Sequence, residues 1–245
     1  MTGRRRASLM VTCLGDLFFP EVGVSIVRVL QRLGVAVDVP PGQTCCGLPL
    51  FNSGYHTEAA AVAGRTVSLF ADSDHVVVPS GSCAWMLKHE YPGLLSDAGL
   101  GRPAEQVAAR VRDVTELLAD ADLPLGALDL TVTYHDACHL VHGQRVREEP
   151  RRLLRRIPGL RLVELRDSDL CCGSAGIYNL LEPGTAGTLR DAKVARIAET
   201  GARVVAAANP GCLLQIAWGC RERALDVTLV HPVELLARAA DAYQG

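Results

Sequence analysis

HVVVPSGSC, residues 75–83, is a short apolar run that leads through a Pro-Ser-Gly turn to a cysteine, and RVVAAANPGC, residues 203–212, has the same order of features. Consecutive β-branched or small apolar residues bounded by proline and glycine are typical of a buried strand that ends in a loop. Because this arrangement occurs twice, the two stretches indicate a duplicated fold in which each copy places a thiol after a strand.

The duplication includes eight of the nine cysteines. In each half a single cysteine is followed by a vicinal pair with a glycine behind it, and then by a further single cysteine. The first interval is 32 positions in one half and 33 in the other, and the last interval is 37 and 40. The first quartet is Cys13, Cys45, Cys46 and Cys83, and the second quartet is Cys138, Cys171, Cys172 and Cys212.

Features other than cysteine repeat with a similar offset. Gly34 precedes the apolar run VAVDV and Gly159 precedes LRLVEL, each 21 positions after the first cysteine of its half. VTELLAD at 114–120 resembles PVELLARA at 232–239. A shift of roughly 120 residues far exceeds the 20–50 residues of a solenoid repeat, so the sequence predicts two homologous units.

Each half alternates short β-branched runs with longer amphipathic stretches, which is typical of a parallel sheet flanked by helices. The sequence therefore predicts an α/β fold of two pseudo-twofold-related lobes, each a small, mostly parallel sheet flanked by helices. We expect a first lobe at 1–93, a helical connection belonging to that lobe at 94–128, and a second lobe at 129–245. The main predicted helices are Glu21–Leu33, Thr57–Phe70, Pro150–Ile157 and Thr188–Thr200.

Composition narrows the class of protein. Of the 245 residues, 49% are hydrophobic and 21% are charged, as in globular proteins that bury a sizeable core. The formal charge of −2 provides no basic field, which argues against nucleic acid as a partner. No apolar run reaches the ~18 residues of a membrane span, so we expect no transmembrane segment and a cytoplasmic location. In such a chain, many cysteines more often indicate metal or redox chemistry than disulfides.

The quartets predict two metal or cluster sites, one per half. Thiolates are preferred ligands of zinc and of iron-sulfur clusters, and four of them complete a tetrahedral zinc or give each iron of a [4Fe-4S] cluster one sulfur. The loops after parallel strands gather at one edge of a sheet, which would bring distant cysteines together. Buried structural cysteines and thiol-disulfide exchange are the alternatives, and redox dithiols usually have the spacing CxxC instead of a vicinal pair.

Three histidines lie close to the second quartet. His135, His139 and His142 would share one helical face if the segment were helical throughout, but a junction between strand and helix would separate His135 from the others. We interpret them as hydrogen-bonding neighbours of the ligands and not as ligands. Cys220 lies outside both quartets and is interpreted as a free core thiol.

Other candidate residues are less specific. Tyr178 and Asn179 follow the second vicinal pair and could bind a substrate or cluster sulfurs. No GxGxxG loop or P-loop is present, so those motifs predict no NAD, FAD or ATP. An arginine-rich segment is interpreted as a solvated helix face, with an acidic docking partner as the alternative. Its members are Arg145, Arg147, Arg151, Arg152, Arg155 and Arg156.

Six stretches support a resemblance to a known family. They are VTCLGDLFFPEVG (11–23), GQTCCGLPLFNSGY (42–55), PSGSCAWM (79–86), YHDACHLVHGQRVREEPRRLL (134–154), CCGSAGIYNL (171–180) and NPGCLLQI (209–216). The twofold C…CCG…C arrangement resembles the cysteine-rich CCG-domain family, found in heterodisulfide reductase subunits, the iron-sulfur subunit of glycolate oxidase and lactate utilisation proteins. The resemblance covers nearly the whole chain except 94–128.

This resemblance implies an iron-sulfur electron carrier in a multi-subunit oxidoreductase that oxidises L-lactate or a similar 2-hydroxy acid such as glycolate. Sister iron-sulfur and lactate-utilisation subunits would be its partners and would be needed for catalysis. Both quartets would be cluster ligands, with a [4Fe-4S] cluster in each lobe or zinc in one of them. A zinc-stabilised scaffold or regulatory binding module without redox activity is the alternative.

The sequence departs from the fuller family pattern at the end of each unit. That pattern ends in CxxC, whereas Met86 and Gln215 occupy the positions of the final cysteines here. The five-thiolate cluster geometry of some relatives therefore does not carry over.

Overall fold

The computed structural model describes residues 6–243, which form two four-stranded sheets. The strand orders are β2-β1-β3-β4 and β6-β5-β7-β8, and every neighbouring pair is parallel. The two orders are the same once the second set is renumbered, which confirms the predicted two-lobe α/β fold. The strands are β1 Arg6–Leu9, β2 Ala36–Asp38, β3 Val76–Val78, β4 Val111–Asp113, β5 Leu130–His135, β6 Leu160–Val163, β7 Val204–Ala207 and β8 Thr228–Val230.

Helices connect the strands, and none among residues 6–243 has the length and apolar character needed to cross a bilayer. A π-helical turn, Met86–Glu90, joins α5 to α6. The helices are α1 Cys13–Phe18, α2 Pro20–Arg32, α3 Leu48–Asn52, α4 His56–Leu69, α5 Gly81–Trp85, α6 Tyr91–Leu94, α7 Gly101–Ala108, α8 Val114–Leu118, α9 Cys138–Val141, α10 Glu148–Arg155, α11 Tyr178–Leu181, α12 Pro183–Thr200, α13 Pro210–Glu222 and α14 Pro232–Ala242.

The four main predicted helices correspond to α2, α4, α10 and α12. In α2 the buried residues Val22, Ile26, Val29 and Leu30 follow the helical period, so one face packs into the core. Pro20 occupies the first turn, where a missing N–H is tolerated. The start of α12 lies five residues before the predicted Thr188, because Pro183 likewise opens the helix.

Segment 94–128 contains helices α7 and α8 and also a strand. The strand β4 pairs with β3 through Val76 and Val111, and thereby extends the first sheet. A run of three residues, VRD, carries too little periodicity for this strand to be predicted. Because β4 forms the edge of the first sheet, we propose that 94–128 belongs to the first lobe.

A common core joins the two sheets. It contains Leu9 and Val77 from the first sheet together with Val132 and Tyr134 from the second. Helix α2 contacts α14, and α8 contacts α10, so each helix that follows the first strand of one half packs on the helix that follows the fourth strand of the other. This reciprocal contact is what a pseudo-twofold relation requires.

The outer face of each sheet has its own core. The core of the first lobe contains Cys46 and Cys83, and that of the second lobe contains Cys172 and Cys212. These four cysteines, which we call the inner thiols, are thus fixed by packing within their own lobe.

Candidate metal centre

The cysteines of each quartet converge where the strands of one sheet end. Cys13 is the first residue of α1 and Cys138 is the first residue of α9, just after β1 and β5. Cys83 and Cys212 lie in the first turns of α5 and α13, after β3 and β7. Each vicinal pair lies in the loop that follows β2 or β6. Since all these strands are parallel, their carboxyl ends deliver the thiols to one edge.

A left-handed glycine turn shapes each vicinal pair. Gly47 and Gly173 both have φ of +84°, a conformation that glycine adopts without a steric penalty. Their amides donate to sulfur, Gly47 N to Cys45 Sγ at 3.4 Å and Gly173 N to Cys171 Sγ at 3.3 Å. A side chain at Gly173 would also clash with the carbonyl oxygen of Ala186.

The thiols of the first quartet share protons along a chain of contacts. A hydrogen bond with the Cys13 thiol lowers the pKa of Cys45, and one with the Cys46 thiol lowers the pKa of Cys83. The hydrogen bond with Cys45 raises the pKa of Cys13, hydrogen bonds with Cys45 and Cys83 raise the pKa of Cys46, and burial adds to both shifts. The direction of the pKa shift therefore alternates along the chain of four thiols.

The second quartet repeats this alternation. Hydrogen bonds with Cys138 and Cys172 lower the pKa of Cys171 and Cys212, whereas the pKa of Cys138 and Cys172 is raised. Each quartet is thus a chain of sulfurs joined by pairwise contacts, and within residues 6–243 no three cysteine sulfurs of one quartet lie within 4.8 Å of one another. All nine cysteines lie within the described residues, and each is a free thiol. This donor set fits a thiophilic metal or an iron-sulfur cluster, whose binding would release the remaining protons.

The two quartets line the same cavity, which has a volume of about 140 Å³. Contacts between the lobes hold its walls together: Ser80 Oγ donates to Asn209 Oδ1 at 2.8 Å, and Gly81 N donates to Ala208 O at 3.0 Å. Asn209 Nδ2 in turn donates to Cys212 Sγ at 3.3 Å. The repeat in the sequence predicted two quartets. It did not predict that the two lobes face each other with both quartets on one cavity.

The three histidines do not share a helical face, because β5 ends at His135 and α9 begins at Cys138. His139 lines the cavity and packs on Trp85, with ring centroids 4.6 Å apart, and burial lowers its pKa. His142 is exposed and lies 3.8 Å from a carboxylate oxygen of Asp169. The junction between strand and helix thus separates His135 from the others.

Two buried charged features of the second lobe were not predicted from the sequence. Arg151 donates to both carboxylate oxygens of Asp136 at 2.8 Å, and both side chains are almost fully buried. Lys193 is 0% exposed and donates to the carbonyl oxygens of Asp167 and Ser168. Arginine spacing alone could not distinguish Arg151 from its exposed neighbours, since its partner lies on a different element.

The remaining candidates have ordinary structural roles. Arg152 and Arg155 are exposed and pair with Asp120 and Glu164, as expected of a solvated helix face. Cys220 is buried and belongs to the core of the second lobe, as expected of a free core thiol.

Two residues after the second vicinal pair were predicted to bind a substrate or cluster sulfurs. Asn179 donates to Gln215 Oε1 at 3.2 Å. Tyr178 is 37% exposed. Neither residue is among those that line the cavity.

A duplicated parallel α/β fold that gathers four free thiols from each half around one cavity defines a class of cysteine-rich proteins whose thiols are suited to binding a metal. The sequence profile of the CCG family, described as "Cysteine-rich domain", matches residues 7–88 and 132–217. The chain therefore belongs to the CCG cysteine-rich domain family.

Similar proteins cover nearly the whole chain. Lactate utilization protein A of Geobacillus kaustophilus (strain HTA426) is 40% identical over 235 residues, covering 94% of this chain and 98% of the relative. Lactate utilization protein A of Oceanobacillus iheyensis is 37% identical over 238 residues, with 94% and 96% covered. Lactate utilization protein A 2 of Bacillus cereus (strain Q1) is 35% identical over 240 residues, with 95% and 98% covered.

Solved structures provide only a distant likeness. Glutamate racemase RacE1 from Bacillus anthracis matches with a TM-score of 0.39 and 12% identity, covering 97% of this chain and 80% of that one. A likeness at this TM-score supports no conclusion about function.

Proposed function

We propose that this chain is the iron-sulfur electron-transfer subunit of a multi-subunit oxidoreductase that oxidises L-lactate or a similar 2-hydroxy acid such as glycolate. The observation that carries the proposal is the convergence of four free thiols in each half upon one cavity. The names of the relatives, lactate utilization protein A, support the choice of substrate.

Each quartet would hold one [4Fe-4S] cluster, with one thiolate for each iron. A cluster bound there supplies one-electron oxidation and reduction. The protein contributes the amides of Gly47 and Gly173, which donate to the sulfurs of Cys45 and Cys171. Hydrogen bonds to ligand sulfur stabilise the more negative, reduced state and so raise the reduction potential.

Partner subunits would supply the step that this chain lacks. Oxidation of a 2-hydroxy acid to a 2-oxo acid releases two electrons and two protons, whereas a cluster carries one electron at a time. With no dinucleotide-binding loop in the sequence, a partner would take the electron pair from the substrate and pass the electrons on singly. Two quartets around one cavity would keep the two carriers close together.

Anaerobic purification tests the proposal directly. The expected protein is brown and contains about eight irons and eight labile sulfides per chain, the content of two [4Fe-4S] clusters. Addition of L-lactate or glycolate with the co-purified partner subunits should bleach the visible absorption. Zinc in both quartets without sulfide would overturn the redox role and support the zinc-stabilised scaffold. Clusters that no hydroxy acid reduces would overturn the assigned substrate.

A further inference from the structure

His135 is a buried histidine whose ring makes no well-formed hydrogen bond. It ends β5, three residues before Cys138, and is 1% exposed. Neither Nδ1 nor Nε2 has a partner of ordinary hydrogen-bond geometry among residues 6–243, and the interaction that remains is with the thiol of Cys212. Because a buried polar group without a well-formed hydrogen bond is unfavourable, the imidazole is suited to binding a further group.

The ring is placed against the inner thiols of the second quartet. One ring nitrogen of His135, Cys172 Sγ and Cys212 Sγ all lie within 4.8 Å of one another, and all three residues are buried. Two ligands on one tetrahedral metal are separated by roughly 3.5–4 Å, given metal–sulfur and metal–nitrogen bonds of about 2.3 and 2.1 Å. A metal atom between these donors would therefore be within reach of the nitrogen.

Polar side chains next to these residues already have partners of their own. The carboxylate of Asp136, which follows His135 in the chain, is bound by Arg151 and Ser168. The amide of Asn209 donates to Cys212 Sγ. The structure thus ties the ring of His135 to the thiols of Cys172 and Cys212.

The first lobe has no counterpart to this nitrogen. Met10 occupies the equivalent position, three residues before Cys13, and is 1% exposed in the same core as Cys46 and Cys83. The two quartets therefore differ in donor chemistry although their thiols are arranged alike.

We propose that His135 is a nitrogen ligand of the metal or cluster held in the second lobe, where it takes the place of one of the four thiolates, so that one lobe has an all-sulfur site and the other a sulfur-nitrogen site. This inference rests on the metal-binding part of the proposed function. A neutral imidazole donates less negative charge than a thiolate, and histidine ligands raise the potential of iron-sulfur centres. An electron shared between the sites would then reside mainly on the second.

The test uses full-length chains in which only one quartet binds. Cys45→Ser with Cys46→Ser leaves the second site, and Cys171→Ser with Cys172→Ser leaves the first. Pulsed electron paramagnetic resonance of the reduced proteins, with ¹⁵N-labelled histidine, detects a directly bound nitrogen by its strong hyperfine coupling. The expected coupling appears in the second-site protein and is absent from the first-site protein.

Two variants of the second-site protein assign the nitrogen. His135→Met introduces the residue that the first lobe has, and should abolish the coupling. His139→Phe removes the other histidine of the cavity wall and should leave it intact. Coupling that survives His135→Met, or that is only as weak as a hydrogen bond produces, would overturn the proposal. In the chain with both quartets, retention of the first cluster shows that His135→Met still folds.

Failure of the electron-transfer proposal gives a different result. If the protein binds zinc instead of iron, X-ray absorption at the zinc edge of the second-site protein should show one nitrogen among its sulfur neighbours, and His135→Met should remove it. Four sulfurs and no nitrogen would overturn the ligand role whichever metal is bound.

Discussion

The two lobes hold their thiols in the same way but surround them with different chemistry. The first lobe has the apolar residues Val11 and Ile26 in the core shared by the two sheets. At the equivalent positions the second lobe has Asp136 and Arg151, which form an ion pair. The strands, glycine turns and proton-sharing thiols are alike in both. Backbone topology therefore sets the positions of the thiols, while the side chains packed next to them are free to diverge in charge.

The two lobes also differ at their helix caps and at the position where the fuller family pattern has its final cysteine. Asp113 caps α8 and its counterpart His231 caps α14. A π-helical turn begins at Met86 in the first lobe, whereas Gln215 lies within the regular helix α13 of the second. These contrasts provide four predictions.

The largest expected effect is the loss of one site at a time. Cys45→Ser with Cys46→Ser should remove the metal of the first lobe, and Cys171→Ser with Cys172→Ser that of the second, because each vicinal pair supplies two of the four thiols of its quartet. Elemental and sulfide analysis should show about half of the original content in either variant. Cys220→Ala, which changes a thiol outside both quartets, should keep all of it. Complete loss from either double variant would show that the quartets form a single shared site.

Breaking the buried ion pair is expected to destabilise the second lobe strongly. Arg151→Met leaves the Asp136 carboxylate buried without its partner, at a cost of about 3–5 kcal/mol in the free energy of unfolding. Combining Asp136→Val with Arg151→Ile installs the pair that the first lobe has at these positions, and should recover most of this loss. Denaturant unfolding measures the free energy of unfolding of both variants. A double variant no more stable than Arg151→Met would contradict the prediction.

The cap of α14 should make the protein less stable in mild acid. Burial lowers the pKa of His231 from 6.5 to about 3, so between these values the unfolded chain binds a proton that the folded chain does not. Stability is therefore full above pH 6.5 and is lost as the pH falls, by about 2 kcal/mol between pH 7 and pH 5. His231 accepts from Val233 N through Nδ1, and His231→Asn replaces that nitrogen with an amide oxygen that can accept the same bond without titrating, so its unfolding curves should lack this loss. An equal loss in the variant would contradict the assignment.

The cap of α8 should have the opposite and smaller pH dependence. Burial raises the pKa of Asp113 from 3.8 to about 6 in spite of hydrogen bonds from Thr115. The folded chain then holds the proton more tightly, so stability falls as the pH rises, by about 1 kcal/mol from pH 5 to pH 7. Asp113→Asn should remove this loss of stability, as measured by the free energy of unfolding of the variant and of the parent chain at each pH. If the stability of the variant still falls between pH 5 and pH 7 as much as that of the parent, Asp113 is not its cause.

The repeat of short apolar runs and cysteines was sufficient to predict the α/β lobes and the helices α2, α4, α10 and α12. Strand β4 was not predicted, because two of its three residues, VRD, are charged and it lacks the β-branched run that indicated β2 and β3. His135 was expected to be a hydrogen-bonding neighbour, and nothing in the spacing of three histidines indicated that its ring would be buried against Cys172 and Cys212. Arg151 likewise has a partner on another element.

The donor atoms and their order can be inferred from the sequence alone: eight duplicated thiols, two glycine turns, and three strands in each half that lead to a cysteine. Local patterning suffices for this, because it depends on residues within a few positions of one another. Other relations are visible only in the folded chain: both quartets line one cavity, Asn209 of one lobe binds Ser80 of the other, and His135 is placed against Cys172 and Cys212. These relations arise from the packing of distant segments, whose mutual orientation is fixed by the shared core between the sheets.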